Sequence, residues 1–338
     1  MLTSIEICAG AGGQALGLEQ AGFRHLAVVE NDPAAAQTLR INRDNEFVRS
    51  HDRWPVEETD VRNYLPDIEP GRLDLLAGGV PCPPFSVAGV QKGHEDERDL
   101  FPRALELVEH AKPKAVLLEN VPGLSQKRFT SYRSSIIERL YGSGYTTWWK
   151  KVTSAEFGVA QLRPRFILIA LKHEYAAEFH WPTGSESYVS VGEALYSQMA
   201  ARGWPGARAW AARANGVGPT LVGGSKLHGG PDLGPSRARE AWRKLGVRGS
   251  SLAEEAPAKD FPIDEMPRLT VQMAATLQGF PDDWVFHGGK TQAYRQVGNA
   301  FPPPVARAMG VSIRNALNGP ATLRDPAEAR GQDVIVLS

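Results

Sequence analysis

The sequence predicts an α/β fold built on a mostly parallel sheet. Three observations predict it. Short apolar runs alternate with amphipathic stretches through the first half of the chain. The runs are nearly continuous in apolar residues and lack an in–out alternation. The first run is followed by a glycine-rich turn. Alternation at this spacing marks βαβ units, and strands covered by helices on both faces read as continuous apolar runs.

Taken in order, Ile5–Ala9 reads as a buried strand, followed by the Gly-rich turn and a helix over Ala15–Ala21. Leu26–Glu30 is a second strand and Pro33–Asn42 a helix. Leu73–Ala77 is a third strand, with a helix after a loop at Pro102–His110. Ala115–Glu119 is a fourth, followed by a helix at Tyr132–Tyr141. Tyr145–Val152 and Arg165–Leu171 read as later strands. The character changes near His180. From there to Pro267 the chain is rich in Gly, Pro, Ala and Arg, and one short helix, Ser236–Leu245, is predicted. Trp204, Trp210 and Trp242 mark this stretch as folded. A helix returns at Val271–Leu277, a turn follows at Gly279–Asp283, and Pro303–Leu317 forms a last helix with proline at its start, where it is tolerated. Asn318–Ser338 is a polar tail, expected to be mobile apart from its last few residues.

Composition narrows the function. The 338 residues are enough for about two domains. Lys+Arg and Asp+Glu are both 38, which excludes a mainly polybasic nucleic-acid binder but leaves room for a local basic cleft. The basic set holds 27 Arg and 11 Lys. Arginine suits phosphates and guanine edges; GC-rich coding DNA accounts for the same bias. Two cysteines, Cys8 and Cys82, are too few for a disulfide scaffold or a Cys-rich zinc site. No apolar run approaches the roughly 18 residues of a membrane span. The N-terminal segment lacks a basic region and runs straight into a strand, so a cytoplasmic, reduced protein is expected.

The chemistry lies where strands run into loops. Cys8-Ala9-Gly10-Ala11-Gly12-Gly13 joins a strand to a helix, and Glu30 ends the next strand. Glycines there let backbone approach a ligand, and a carboxylate 20 residues on can accept hydrogen bonds from ribose hydroxyls. The pair fits a dinucleotide or an S-adenosylmethionine site. Gly78-Gly79-Val80-Pro81-Cys82-Pro83-Pro84-Phe85-Ser86 holds a thiol between prolines at a strand end, unlike an ordinary buried structural cysteine. Leu117-Leu118-Glu119-Asn120-Val121-Pro122 puts a carboxylate at another strand end, as an acid or as a cap or salt-bridge partner. Gln161-Leu162-Arg163-Pro164-Arg165 places two guanidiniums on one side of an extended segment, suited to an anionic or carbonyl-bearing ligand. Gln296-Val297-Gly298-Asn299-Ala300 reads as a tight polar turn before the last helix.

These segments, with Leu277-Gln278-Gly279-Phe280-Pro281, resemble in order and spacing the motifs of bacterial DNA (cytosine-5)-methyltransferases, over residues 3–172 and 268–317. The resemblance implies a Rossmann-like S-adenosylmethionine-dependent methyltransferase sheet with a smaller, irregular target-recognition domain. It assigns 1–178 and 296–318 to the catalytic domain, 179–295 to target recognition and 319–338 to a tail. It implies Cys82 as the nucleophile that adds to carbon 6 of a flipped cytosine, and Glu119 as the group at ring nitrogen 3. Arg163 supplies positive field to the thiolate or holds the base carbonyl; Arg165 orients Glu119 or contacts the base. The implied cofactor is S-adenosylmethionine, held by Gly10, Gly12, Glu30, Asn31, Asp60, Leu100 and Asn299, with no metal. Two positions depart from the family: Cys8 stands where an adenine-stacking Phe is usual, and Asn31 where a larger residue is common.

Further implications concern DNA. Gln91-Lys92-Gly93-His94-Glu95-Asp96 resembles the mobile loop beside the nucleophile. Ser86, Gln91, Lys92, Thr220, Lys226, Arg237 and Arg239 are the expected duplex contacts, with His228, Arg243 and Lys244 in the same basic cluster. The expected partner is double-stranded DNA, with a cognate restriction or other defence system in a bacterial cytoplasm; no membrane is involved, and the chain is expected to act as a monomer. Two rival functions share these features: a tRNA cytosine-5 methyltransferase, against which the long 180–267 insert weighs, and a catalytically silent DNA-binding regulator, against which the intact Cys82, Glu119, Arg163 and Arg165 weigh.

Overall fold

A computed structural model describes residues 1–44, 53–81, 99–223 and 230–319, together with the backbone of a short strand at 335–336. The first half winds as β1 (Leu2–Ile7), α1 (Gly13–Gln20), β2 (Phe23–Glu30), α2 (Pro33–Asn42), β3 (Val56–Glu58), β4 (Leu75–Gly79), α3 (Phe101–Ala111), β5 (Ala115–Asn120), α4 (Thr130–Gly142) and β6 (Tyr145–Thr153). Then come β7 (Gln161–Leu162), β8 (Pro164–Lys172), α5 (His173–Ala176), α6 (Val191–Ala200), α7 (Ala207–Arg213), β9 (Gly218–Pro219) and α8 (Ser236–Lys244). The chain closes with α9 (Val271–Leu277), α10 (Lys290–Asn299), α11 (Pro303–Asn318) and β10 (Ile335–Val336). The predicted strand and helix alternation is present throughout residues 2–172.

The main sheet runs β10-β6-β8-β5-β4-β1-β2-β3. Every pairing among β3, β2, β1, β4 and β5 is parallel, whereas β8 runs antiparallel to both β5 and β6. Strand order reverses at β1 and β4, and a ligand crevice opens outside the carboxyl ends of the strands at such a switch point. The one reversed strand has a functional consequence. Its start lies at the edge where its parallel neighbours end, so Arg165 at the head of β8 arrives beside Glu119 at the tail of β5; the register pairs Glu119 with Ile167.

The sheet is apolar because it is buried on both faces. Leu75, Leu76, Ala77, Ala115, Val116, Leu117 and Leu118 are fully buried. Helix α2 begins where its sequence dictates: Asp32 caps the Ala34 and Ala35 amides, and Pro33 takes the first turn. On one face α11 packs against α1, and Met309, Ile313 and Phe23 share a core with Leu75 and Leu117.

The stretch from 180 to 267 is folded around its tryptophans, as expected: Trp204, Trp210 and Trp242 are all buried. Its regular structure exceeds the prediction. Helix α8 was predicted; α6 and α7 were not. Ser190 caps Glu193 and Glu193 caps Ser190 in return, a reciprocal box that starts α6. The polar segment predicted as a turn at Gln296–Ala300 is instead the end of α10, and the boundary expected at 296 falls inside that helix. Gly298 is required there by a close approach. A Cβ at Gly298 would sit 2.3 Å from the Gly223 backbone nitrogen, so the end of α10 lies directly against the segment after β9.

Candidate active site

A cavity of about 750 Å³ follows the carboxyl edge of the sheet. Its walls include Asp60 after β3, Glu30 at the end of β2, Cys8 after β1, Pro81 after β4 and Glu119 in β5. Those five strands span four spacings, about 19 Å. Such a volume is in the range of small-molecule sites.

The glycine turn divides two tasks. Gly10 has φ +56°, lines the cavity, and has open space where a Cβ would stand. Gly12, at φ +86°, caps α1, and its Cβ would press within 2.7 Å of Leu39. Gly12 therefore shapes the turn against α2 and is not among the cavity walls. Cys8 also has a positive φ, 53°, uncommon for a side chain with a Cβ.

The acids of the cavity differ in environment. Glu30 accepts the Gly10 amide at 2.7 Å and the Asp32 amide at 2.7 Å. Burial nonetheless raises its pKa. The Asn31 amide also approaches the same carboxyl. Asp60 accepts from the Arg62 amide and from its guanidinium at 3.0 and 2.5 Å. These bonds, with one from Asn31, pull its carboxyl down to about 2. Burial pushes the Cys8 thiol far up, and the charges of Glu30, Asp60 and Glu6 push it further, so Cys8 is a neutral thiol.

Glu6 and Gln14 escaped the sequence reading. Glu6 is fully buried inside β1 and lines the cavity; its carboxyl oxygens complete no hydrogen bond among the described residues, although the Ala15 amide lies close enough to oppose the effect of burial. Burial raises its pKa strongly. The Gln14 carboxamide, 3% exposed, is likewise unpartnered and lines the cavity. Buried polar atoms without partners are costly, and two side chains of this kind facing one cavity fit a polar ligand. An acid inside the apolar run Ile5–Ala9 was the signal that could have found Glu6.

At the far end, Glu119 and Arg165 form a close buried ion pair. Burial lowers the Arg165 pKa, and Glu119 opposes that shift. Asn120 donates to the Val80 carbonyl at 2.9 Å, tying the end of β5 to the chain two residues before Cys82. Arg163 goes elsewhere. Its guanidinium is 1% exposed and donates to the Leu221 carbonyl at 2.9 Å and the Ala300 carbonyl at 3.0 Å. Burial and the charge of Arg165 lower its pKa well below the usual range. The two arginines expected on one side of an extended segment thus diverge: Arg165 faces Glu119, and Arg163 locks β8 to the segments after β9 and α10. Gln161 and Gln278 complete that lock, donating to Gln278 Oε1 and to the Val297 and Ala300 carbonyls.

Of the expected cofactor residues, Gly10, Glu30, Asn31, Asp60, Leu100 and Asn299 all line the cavity. Cys82, Ser86, Gln91, Lys92, Lys226 and His228 lie outside the described residues. Thr220 is half-buried and donates to the Leu162 carbonyl at 2.6 Å. Arg237 and Arg239 are exposed on α8, which Trp242 anchors. Positions two apart on a helix do not share a face, so these two cannot grip one phosphate together. Arg243 is held by Glu240.

The family comparison agrees with this geometry. The model for C-5 cytosine-specific DNA methylases matches residues 2–214 and 230–315. The type II methyltransferase M.NaeI of Lentzea aerocolonigenes is 51% identical over 96% of this chain and 78% of its own length. M.NgoMIV of Neisseria gonorrhoeae is 48% identical over 93% of this chain and 98% of its own. Among solved structures, a DNA modification methyltransferase encoded in an E. coli prophage superposes with a TM-score of 0.64 at 24% identity, covering 94% of this chain and all of the other. DNMT2 of Spodoptera frugiperda superposes at 0.60 with 14% identity, over 93% of this chain and all of that one; both structures share the fold. With its switch-point cavity, its Glu119–Arg165 pair and a family match across most of its length, the chain belongs to the C-5 cytosine-specific DNA methylase family.

Proposed function

We propose that this protein methylates carbon 5 of a cytosine within a specific short sequence of duplex DNA, as the modification partner of a restriction system. The buried Glu119–Arg165 pair at the end of the cavity carries the reading. The cofactor it implies is S-adenosylmethionine, and the cavity residues suit it. Glu30 would take the ribose hydroxyls, Asn31 and Asp60 the adenine end with Leu100 packing there, and Gly10 and Asn299 the remainder. Bound S-adenosylmethionine supplies an electrophilic methyl group.

The chain's own residues prepare the acceptor. A duplex base cannot reach a buried site, so the cytosine flips out, at a cost of a few kcal/mol. The Cys82 thiolate adds to carbon 6, forming an Sγ–C6 bond. The displaced C5–C6 π pair makes carbon 5 nucleophilic, while Glu119, after taking up a proton from solvent, donates that proton or a hydrogen bond at nitrogen 3. Once carbon 5 carries the methyl group, it loses its proton to a base, the Sγ–C6 bond breaks, and the thiolate is released with the aromatic ring restored. One difficult substitution becomes two easier steps. Arg165 positions Glu119 in this scheme. Arg163 acts through the backbone segments it joins. Cys8, neutral and in the cofactor cavity, has no nucleophilic part.

In the same proposal, residues 1–178 and 296–318 do the chemistry and 179–295 read the DNA. The protein works as a cytoplasmic monomer. Among the described residues no helix is long and apolar enough to cross a membrane. Bisulfite sequencing of DNA from a methylation-free bacterial host expressing the chain tests the reading. One sequence context resistant to conversion, and lost in Cys82→Ala, is the expected result. Soluble protein without any methylated context, but with methylated tRNA, would move the substrate to RNA.

A further inference from the structure

We infer that Lys127 and Arg128 form a prebuilt clamp for DNA backbone phosphates on the catalytic side of the protein, next to the flipped base. The inference rests on the duplex-DNA reading above. The two residues follow β5 in a short 3-10 turn, Lys127–Phe129, eight and nine positions after Glu119. Eight residues span at most about 26 Å even when fully extended, which bounds the separation of Lys127 from Glu119. Successive base pairs rise 3.4 Å, so that limit is about eight steps of duplex.

Between Asn120 and Glu138 the chain has Lys127, Arg128 and Arg133 and no acid, and the acid that reaches this segment from elsewhere, Asp99, accepts from the Tyr132 hydroxyl. Lys127 and Arg128 are exposed, and the Arg128 guanidinium lies 4.7 Å from the centre of the Phe129 ring. Arg133 is 2% exposed, and its guanidinium is turned to backbone. It donates to the Leu124 carbonyl at 2.7 Å, to the Gln126 carbonyl at 2.9 Å and to the Thr130 hydroxyl at 3.2 Å. Thr130 in turn donates to the Lys127 carbonyl at 2.7 Å, and the Phe129 amide to Gln126. Burying a cation to satisfy carbonyls is expensive, and here it fixes the shape of the loop that presents the two exposed cations. Asn120, bonded to the Val80 carbonyl, ties the start of that loop to the strand leading to Cys82. Two adjacent cations on a hydrogen-bonded turn at the sheet's carboxyl edge suit the phosphates of a DNA strand, and they make backbone contacts, not base contacts. They therefore set affinity and register and not the target sequence.

The test is the salt dependence of binding by the full chain. Dissociation constants are measured for a cognate duplex and a scrambled duplex of equal length, from 50 to 200 mM salt, for the wild type, Lys127→Gln/Arg128→Gln and Lys127→Arg/Arg128→Lys. Loss of two phosphate contacts lowers the slope of log K against log salt by about 1.8, which makes the affinity deficit roughly twelvefold larger at 50 mM than at 200 mM. Cognate and scrambled affinities fall by the same factor, KM for DNA rises, and kcat at saturating DNA stays unchanged. The charge-preserving variant keeps the wild-type slope. An unchanged slope in the Gln variant, with the wild type binding and methylating DNA normally, overturns the clamp. A wild type that neither binds nor methylates duplex DNA overturns the underlying reading instead.

Discussion

Replacing Arg163 by alanine should weaken the fold before it weakens the chemistry. The guanidinium is buried and donates to two backbone carbonyls, Leu221 at 2.9 Å and Ala300 at 3.0 Å. Ala300 keeps a second donor in Gln278, whereas the Leu221 carbonyl loses its bond. Hydrogen bonds from a charged donor contribute about 1.5–3 kcal/mol each. Against this, alanine removes a cation whose burial is itself unfavourable. The balance, with the lost packing of the alkyl stem, is a destabilisation of about 3 kcal/mol. Arg163→Met keeps most of the stem and discards the buried charge, so it should cost about half as much. Urea unfolding measures both, and methyl transfer at low temperature, where both variants stay folded, measures the chemistry. The structural role requires the Met variant to retain substantial activity. Unchanged urea midpoints with activity abolished in both variants would refute the reasoning and return Arg163 to direct contact with thiol or base.

Other expectations follow from the same geometry. His25 is buried, and because the Ala15 carbonyl can only accept, its Nε2 carries the proton while Nδ1 accepts from the Ser4 hydroxyl. Burial lowers its pKa to about 4. Between pH 6.5 and 4 the unfolded chain therefore binds the extra proton, and stability falls as pH falls, by about 1.4 kcal/mol per unit from this group; unfolding free energies from urea titrations at pH 7 and 5 should differ by about 2 kcal/mol through it, and less in His25→Asn. Cys8→Ala should leave methyl transfer at saturating cofactor within a fewfold of wild type, because a neutral thiol does no chemistry; complete loss would give Cys8 a role it lacks here. Glu119→Gln should lower kcat by about 10²–10⁴, the usual worth of a proton-transfer group, while leaving duplex affinity nearly unchanged in a gel-shift assay.

The legible parts of this protein were those whose physics is local. Parallel strands buried on two faces are apolar runs, so β1, β2, β4 and β5 stood out, and Pro33 after Asp32 announced α2 to the residue. The reversed direction of β8 carries no sequence signal, since an antiparallel strand buried on both faces has the same apolar run as a parallel one. That single reversal is what brings Arg165 to Glu119. Helix α6 was legible and missed: Ser190 and Glu193 have the spacing of a capping box. Helix α10 was obscured by its polar composition and by Gly298, a poor helix former kept for its contact with Gly223. The separation of Arg163 from Arg165 lies beyond local reasoning, because their partners are up to 137 positions away in the chain. Among the cofactor candidates, Gly12 has a positive φ of 86° and a Cβ there would meet Leu39, so backbone conformation and packing also favour glycine at that place in the turn.

The central claim is that Cys82 bonds to carbon 6 of the target base. A duplex whose target cytosine carries fluorine at carbon 5 tests it most directly, since after methyl transfer no proton remains there to leave and the adduct persists. Incubation with S-adenosylmethionine followed by denaturing electrophoresis and peptide mass mapping should give a protein–DNA conjugate attached at Cys82 and absent from Cys82→Ala. A conjugate on another residue, or methyl transfer to ordinary duplex by Cys82→Ala, would contradict it.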